Sequence, residues 1–179
     1  RTLESAVRCA VVTSLNQTAA QVTNQYIIEG ECEYCLLSAH LGARIAQKGQ
    51  PPLADHSSWQ GKVVKIRGSE PGYPNLLETT GYDIDPETGQ GKVVDPRGLH
   101  GWNCRHSHKP WDKRLRNPYV DENGNLKIDS EENRKRHELQ QKQRNMERNL
   151  RAWKRKLIVK EQEIAGVAET DVKEILQRD

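Results

Sequence analysis

Asp129-Ser-Glu-Glu-Asn-Arg-Lys-Arg-His-Glu-Leu139 opens the longest uninterrupted pattern in the chain. Asp129 or Ser130 can cap a helix, because a short oxygen-bearing side chain satisfies a backbone N–H that the first turn leaves unpaired. Glu131 and Glu132 suit the positive end of the helix dipole. Neither Gly nor Pro occurs again before Gly166, and Leu139, Met146, Leu150, Trp153 and Leu157 make one thin apolar seam. The spacing predicts a helix of about 30 residues or more, about 45 Å or longer. Gly166 is expected to end it, and Thr170 to cap a last short helix carrying Val172, Ile175 and Leu176. From Glu131 to Lys160 eleven Lys/Arg stand against four Asp/Glu, a charge of +7, which leaves −4 for the rest of the chain. Arg134, Lys135, Arg136, Lys142, Arg144, Arg148, Arg151, Lys154, Arg155 and Lys156 are too many for one side of a rod. They are expected to meet a polyanion, the backbone of double-stranded DNA, without reading its sequence. The competing readings are a solvated Arg-rich helix, or arginines that face acidic protein surface.

The rest of the chain reads outward from that helix. Of 179 residues only 34% are hydrophobic while 30% are charged, and the mean hydropathy is −0.91. A packed core along the full length is therefore not expected, and part of the chain should be extended or solvated. Collagen, a disulfide-dense mini-protein and simple disorder are excluded by composition, and no run approaches the ~18 apolar residues of a membrane span. Four Trp and five Tyr can anchor a modest core. Starting at Arg1 without Met, the chain is expected to be a fragment or the ordered part of a longer protein, and no secretion or lipidation signal is visible within it.

Residues 1–28 read as an amphipathic helix with Leu3, Val7, Val11, Leu15, Val22 and Tyr26 on its apolar stripe and Arg8, Asn16, Gln17, Asn24 and Gln25 mostly opposite. Gly30 stops it. Pro51 and Pro52 mark a loop, and Lys62-Val-Val-Lys-Ile-Arg-Gly68 reads as a short strand. Residues 68–100 are turn-rich, with Tyr82–Ile84 and Lys92–Val94 able to pair as a hairpin. Tyr119–Val120 and Leu126–Ile128 flank a second turn, Asp121 to Asn125. The expected fold is α+β: residues 1–129 form a helix plus a small loop-rich body of short antiparallel strands, and residues 130–179 the long basic helix and a short terminal one. The long helix is expected to project from that body or pack across it.

Three chemistries compete for the polar residues. Cys32 and Cys35 form a Cys-x-x-Cys pair, and Cys104 with His106 a second pair, so zinc is one reading, in a metal-stapled interaction module. Free or buried thiols are the other reading, and no cofactor is otherwise called for. A nuclease- or toxin-like enzyme could use His40, His56 and His106 for proton transfer on a phosphodiester. Nothing in their spacing is diagnostic, however, and no phosphate-binding glycine loop accompanies them. Trp59 and Trp102 read as fold anchors.

Three blocks, taken in order, resemble the phage minor capsid protein 2 family of tailed-phage head proteins. They are Ser38-Ala-His40-Leu-Gly-Ala-Arg44, His56-Ser-Ser-Trp59-Gln60-Gly61-Lys62, and Thr80-Gly-Tyr82 leading to Gly98-Leu-His-Gly-Trp102-Asn103-Cys104-Arg105-His106-Ser107. With the basic segment they cover about residues 5–160, and the whole is distantly similar to Mu-type head morphogenesis proteins. Two departures stand out: the eleven residues between Arg44 and His56 are a longer link than the family's, and Cys32/Cys35 lie outside its pattern. The resemblance implies a structural, low-copy virion protein without catalytic residues. It would sit at the portal vertex or capsid interior, be made in the host cytoplasm, and have portal and major capsid proteins and packaged DNA, but no membrane, as partners. It also implies that His40, Arg44, His56, Trp59, Gln60, Trp102, Asn103, Arg105 and His106 converge in one polar network.

Overall fold

A computed structural model describes the backbone of residues 3–176 and the side chains of residues 3–166. It divides into two units, residues 1–137 and 138–179. The first is an α+β body. Its N-terminal helix α1 spans Leu3–Glu29 and is followed by strand β1, Tyr34–Leu37. A 3-10 turn, Pro52–Ala54, and a one-turn helix α2, His56–Trp59, precede β2, Val63–Lys65. Then come α3, Leu76–Thr80, the strands β3, Tyr82–Ile84, and β4, Gly91–Val93, and finally β5, His108–Trp111.

The centre of the body is β1. It pairs antiparallel with β2 on one side, Cys35 opposite Val64, and with β5 on the other, Cys35 opposite Pro110 and Leu37 opposite His108. Its four residues, Tyr-Cys-Leu-Leu, are all buried. Because side chains alternate along a strand, β1 seeds a core on each face. Cys35 and Leu37 join Trp59, Val64, Leu76, Ile84 and Leu99 on one side. Tyr34 and Leu36 join Trp111, with Val63, Tyr73 and Tyr119 around them, on the other. The hairpin expected at Tyr82–Ile84 forms, with β4 as its partner one residue earlier than read. The expected pairing of Tyr119–Val120 with Leu126–Ile128 shrinks to a single bridge, Val120 to Leu126. There Asp121 Oδ1 accepts from the backbone N–H of Asn123 and Asn125, and Asp121 N–H donates to Asn125 O (2.8 Å), which together close the turn.

Helix α1 lies where the periodicity puts it, but its faces are reversed. Leu3 (80% exposed), Leu15 (66%) and Tyr26 (62%) turn outward with Val7, Val11 and Val22. The side that meets the body carries Ala20, Asn24 and Ile27, and its amides bond to loop backbone. Asn16 donates to Cys104 O (3.1 Å), Gln17 to His100 O (3.1 Å), Gln25 to Thr88 O (3.0 Å) and Gln21 to Gly89 O (2.8 Å). Gln21 also accepts from Gly91 N–H (2.9 Å). The body presents carbonyls and N–H groups there, and only polar side chains can satisfy them.

Helix α4, Ser130–Leu176, is 47 residues long, about 70 Å at 1.5 Å per residue. Asp129 Oδ1 caps it by accepting from Glu132 N–H (2.7 Å). Buried Asn133 accepts from Gly42 and Ala43 N–H, both at 2.9 Å, and so orders the loop after β1. The stop expected at Gly166 is absent, and the helix runs through it. A glycine inside a helix costs only about 1 kcal/mol against Ala, which is no barrier between two long helical flanks. The side chains of Val172, Ile175 and Leu176 lie outside the described residues.

Candidate functional site: a buried histidine cluster and a basic helix

The loop Pro96–Ser107 sets the cluster. A Cβ at Gly98 would strike Thr80 O, and one at Gly101 would strike Pro96 O. These close approaches let Leu99 N–H donate to Thr80 O (2.9 Å) and Trp102 N–H to Pro96 O (2.7 Å). His100 (φ 56°) and Asn103 (φ 53°) take the left-handed backbone that Asn and His tolerate better than most residues. From there the chain alternates: Cys104, His106 and His108 point in, and Arg105, Ser107 and Lys109 point out. His56 comes from the opposite side as the first residue of α2, where Asp55 Oδ1 caps the turn by accepting from Ser57 N–H (3.1 Å).

His56 Nδ1 and His106 Nδ1 face each other at 3.3 Å, and Cys104 Sγ lies 4.0 and 3.9 Å from them. All three residues are buried. The partner of the other ring nitrogen fixes the tautomer of His56. His56 Nε2 meets Arg97 O at 2.8 Å, and a carbonyl can only accept. His106 Nε2 meets Gln60 Oε1 at 3.5 Å, an oxygen identified by the His40 backbone N–H that donates to it at 3.0 Å. His56 Nε2 is therefore an N–H donor and its Nδ1 presents a bare lone pair, while the Gln60 oxygen, at the long limit of a hydrogen bond, favours the same tautomer in His106. Trp59 packs its ring 4.5 Å from His56 and 4.8 Å from His106, while its Nε1 donates to Leu53 O (2.9 Å). His40 stacks on His106 with ring centroids 4.2 Å apart, and its buried Nε2 has no hydrogen-bond partner.

A second polar chain lies beside the first. Asn24 of α1 donates to Tyr82 Oη (2.8 Å) and accepts from His108 Nε2 (2.8 Å). His108 Nδ1 in turn accepts from His100 Nε2 (2.8 Å). Burial is the first cause of every shift among these rings. It pushes His56 down to about 4, His106 to about 2, His100 to about 3 and His108 to about 4, so all four are neutral at physiological pH. It raises the Cys104 thiol, and pushes that of Cys35 up to about 12.

The structure thus brings together His40, His56, Trp59, Gln60, Cys104 and His106. Arg44 sits at the margin, donating to Arg97 O (2.8 Å) and to Trp102 O, and Gly61 follows Gln60 with φ 71°. Trp102 is 48% exposed and is not the core anchor expected of it. Asn103 and Arg105 are exposed as well, because the inward positions of this stretch fall on Cys104 and His106. Of the four ligands read for zinc, Cys104 and His106 meet, but Cys32 and Cys35 do not join them. Among the described residues the group that could hold an ion is His56, Cys104 and His106. Cys35 is spent on the core. Sequence reading missed Asn24, Tyr82 and Arg97 as partners. For Asn24 the signal was the row of uncharged amides, Asn16, Gln17, Asn24 and Gln25, on one side of the helix.

Along α4, nine of the ten cations singled out are exposed, and Arg151 is half-buried. Arg134 and Lys135 pair with Glu131, and Lys156 sits over the Trp153 ring at 4.8 Å. Lys142, Arg144, Lys154 and Arg155 form no ion pair among the described residues. Leu139, Met146, Leu150, Trp153 and Leu157 are more than half exposed. No described helix is long and apolar enough to cross a membrane.

A family model described as Phage minor capsid protein 2 matches residues 1–178. No curated protein and no solved structure matches the chain.

Proposed function

Because the chain belongs to the phage minor capsid protein 2 family and is a structural protein of the phage head, we infer that it lies at the portal vertex or on the inner face of the capsid shell. There α4 meets the packaged duplex. One observation carries this reading: α4 is a long helix whose cations stand exposed around its circumference, several of them with no acidic partner. Such a rod neutralises phosphates wherever a duplex lies against it, with nothing to read base edges. The body plays the structural part. His56, His100, His106 and His108 are buried in a hydrogen-bonded core, so a substrate reaches His56 or His106 only if the body opens, and catalysis is not their role.

Fluorescence anisotropy with duplexes of unrelated sequence tests the DNA interaction. Affinity is expected to be equal among sequences, to fall steeply with salt, and to leave the duplex uncut. Arg144→Gln, Arg148→Gln, Arg151→Gln and Arg155→Gln together should weaken binding. They should also flatten the plot of log affinity against log salt, by about 0.9 for each phosphate that is no longer neutralised. Circular dichroism should show the helix intact. Binding that is absent, or that salt leaves unchanged, would instead assign these arginines to an acidic protein surface in the head.

A further inference from the structure

We propose that His56 Nδ1, Cys104 Sγ and His106 Nδ1 are the protein ligands of a zinc ion bound inside the body. A tetrahedral zinc with bonds of about 2.0–2.1 Å to nitrogen and about 2.3 Å to sulfur spaces two nitrogens about 3.3 Å apart, and nitrogen and sulfur about 3.6 Å apart. The two Nδ1 atoms are 3.3 Å apart, and the sulfur stands 4.0 and 3.9 Å from them. The nitrogen edge already has the length a zinc ion imposes. The sulfur edges need to close by about 0.4 Å, which a small rotation about the Cys104 Cα–Cβ bond supplies.

The tautomers add to the distances. Arg97 O holds His56 Nε2 as a donor and the Gln60 oxygen favours the same tautomer in His106, so in that state two Nδ1 lone pairs share one buried space. The single thiol proton of Cys104 can serve one of them at most. Unless something positive lies between them, the arrangement repels itself. A cation removes the conflict and uses every lone pair present. The outer partners are those that metal-bound histidines usually have, a backbone carbonyl and a side-chain oxygen accepting from the far ring nitrogen. One thiolate and two imidazoles suit zinc and are a poor set for magnesium or calcium, which take oxygen. On binding, the Cys104 thiol gives its proton to solvent and the sulfur's freed electron pair goes to the metal, so uptake releases one proton per ion. Water takes the fourth position. The unpartnered, buried Nε2 of His40, on the ring stacked against His106, is an acceptor available to that water.

This site differs from a Cys-x-x-Cys knuckle, and the test separates the two. The full chain is stripped with a chelator, returned to buffered zinc, dialysed and analysed for metal, then reloaded with cobalt(II) for spectroscopy. One zinc per chain is expected, together with a thiolate-to-cobalt absorption band in the near ultraviolet. Cys104→Ser should lose the band and the zinc, and Cys32→Ser should keep both. Stoichiometric zinc should raise the thermal midpoint of the stripped wild-type protein and of Cys32→Ser. Should Cys104→Ser fail to fold, the wild-type spectrum decides, since a site without the thiolate gives no such band. No retained zinc, a cobalt complex without the band, or loss of metal in Cys32→Ser would each overturn the assignment.

Discussion

Glu70 shows how much one side chain carries in a chain short of apolar residues. Its carboxylate accepts from Tyr34 Oη at 2.6 Å and pairs with Lys113 and with Lys65 at 3.4 Å. Lys113 Nζ lies over the Tyr34 and Tyr73 rings at 4.7 and 5.0 Å. The hydrogen bond from Lys113 comes first and that from Tyr34 second in holding the Glu70 carboxyl down to about 2 from an ordinary 4.5. The folded state thus keeps the charge where the unfolded chain takes up a proton. Its contribution is complete above pH 4.5 and drains away as pH falls from there through about 2. Glu70→Gln should lower the thermal midpoint near neutral pH, and the gap to wild type should close as the acid limb is descended. A gap that does not change with pH would mean that shape, rather than charge, is what Glu70 supplies. No spacing announces this cluster, because Tyr34, Glu70 and Lys113 meet only once β1, β2 and β5 are in register. The histidine cluster was partly legible. Its residues stand in the quoted blocks, and the alternation Cys104, His106, His108 can be read as a strand-like edge. Which ring nitrogens face each other depends on Arg97 O and Gln60 Oε1, and a tautomer is not written in a sequence.

At the scale of elements, α1 shows where pattern reading fails and why. Its extent follows from propensity and from Gly30, and was legible. Its orientation was not, because periodicity locates an apolar stripe and assumes the neighbour is apolar too. The neighbour here is loop backbone, with Thr88, Gly89, His100 and Cys104 offering carbonyls. Asn and Gln match those groups, and Leu and Val cannot. Likewise β1 went unread because a run of four apolar residues carries no alternation, though burial on both faces is what such a run fits. The consequence inverts the usual effect of hydrophobic substitution. Gln21→Leu adds apolar surface yet strips partners from Gly89 O and Gly91 N–H. It should cost about 1–3 kcal/mol. Leu15→Ser removes an apolar side chain from an exposed site and should change the isolated protein by no more than about 0.5 kcal/mol. Urea titrations at constant m-value measure both. The opposite ranking would mean that the helix docks by its apolar stripe.

For the whole molecule, the two units are built on different physics. Residues 1–137 hold both apolar cores, every strand among the described residues and the histidine cluster, and the bonds from Asn133 to Gly42 and Ala43 close within them. Residues 138–179 carry an exposed seam and a run of like charges with Arg144/Arg148 and Arg151/Arg155 four residues apart, a spacing that sets cation beside cation on a helix. Most helical stability in proteins comes from packing an amphipathic face, and a highly charged segment in water lacks that support. A chain ending at His137 should therefore unfold in one cooperative transition, with near-ultraviolet dichroism from Trp59, Trp102 and Trp111 preserved. The separate segment from Glu138 should be only partly helical at low salt and gain helix when salt screens its cations or when duplex DNA is added, with Trp153 fluorescence following the gain. Calorimetry on the first piece and dichroism on the second make the comparison. A molten spectrum from residues 1–137 would show that the body needs the rest of α4. Full helicity of the second piece at low salt would show that its exposed seam stabilises the rod unaided, by association between copies if helicity rises with concentration.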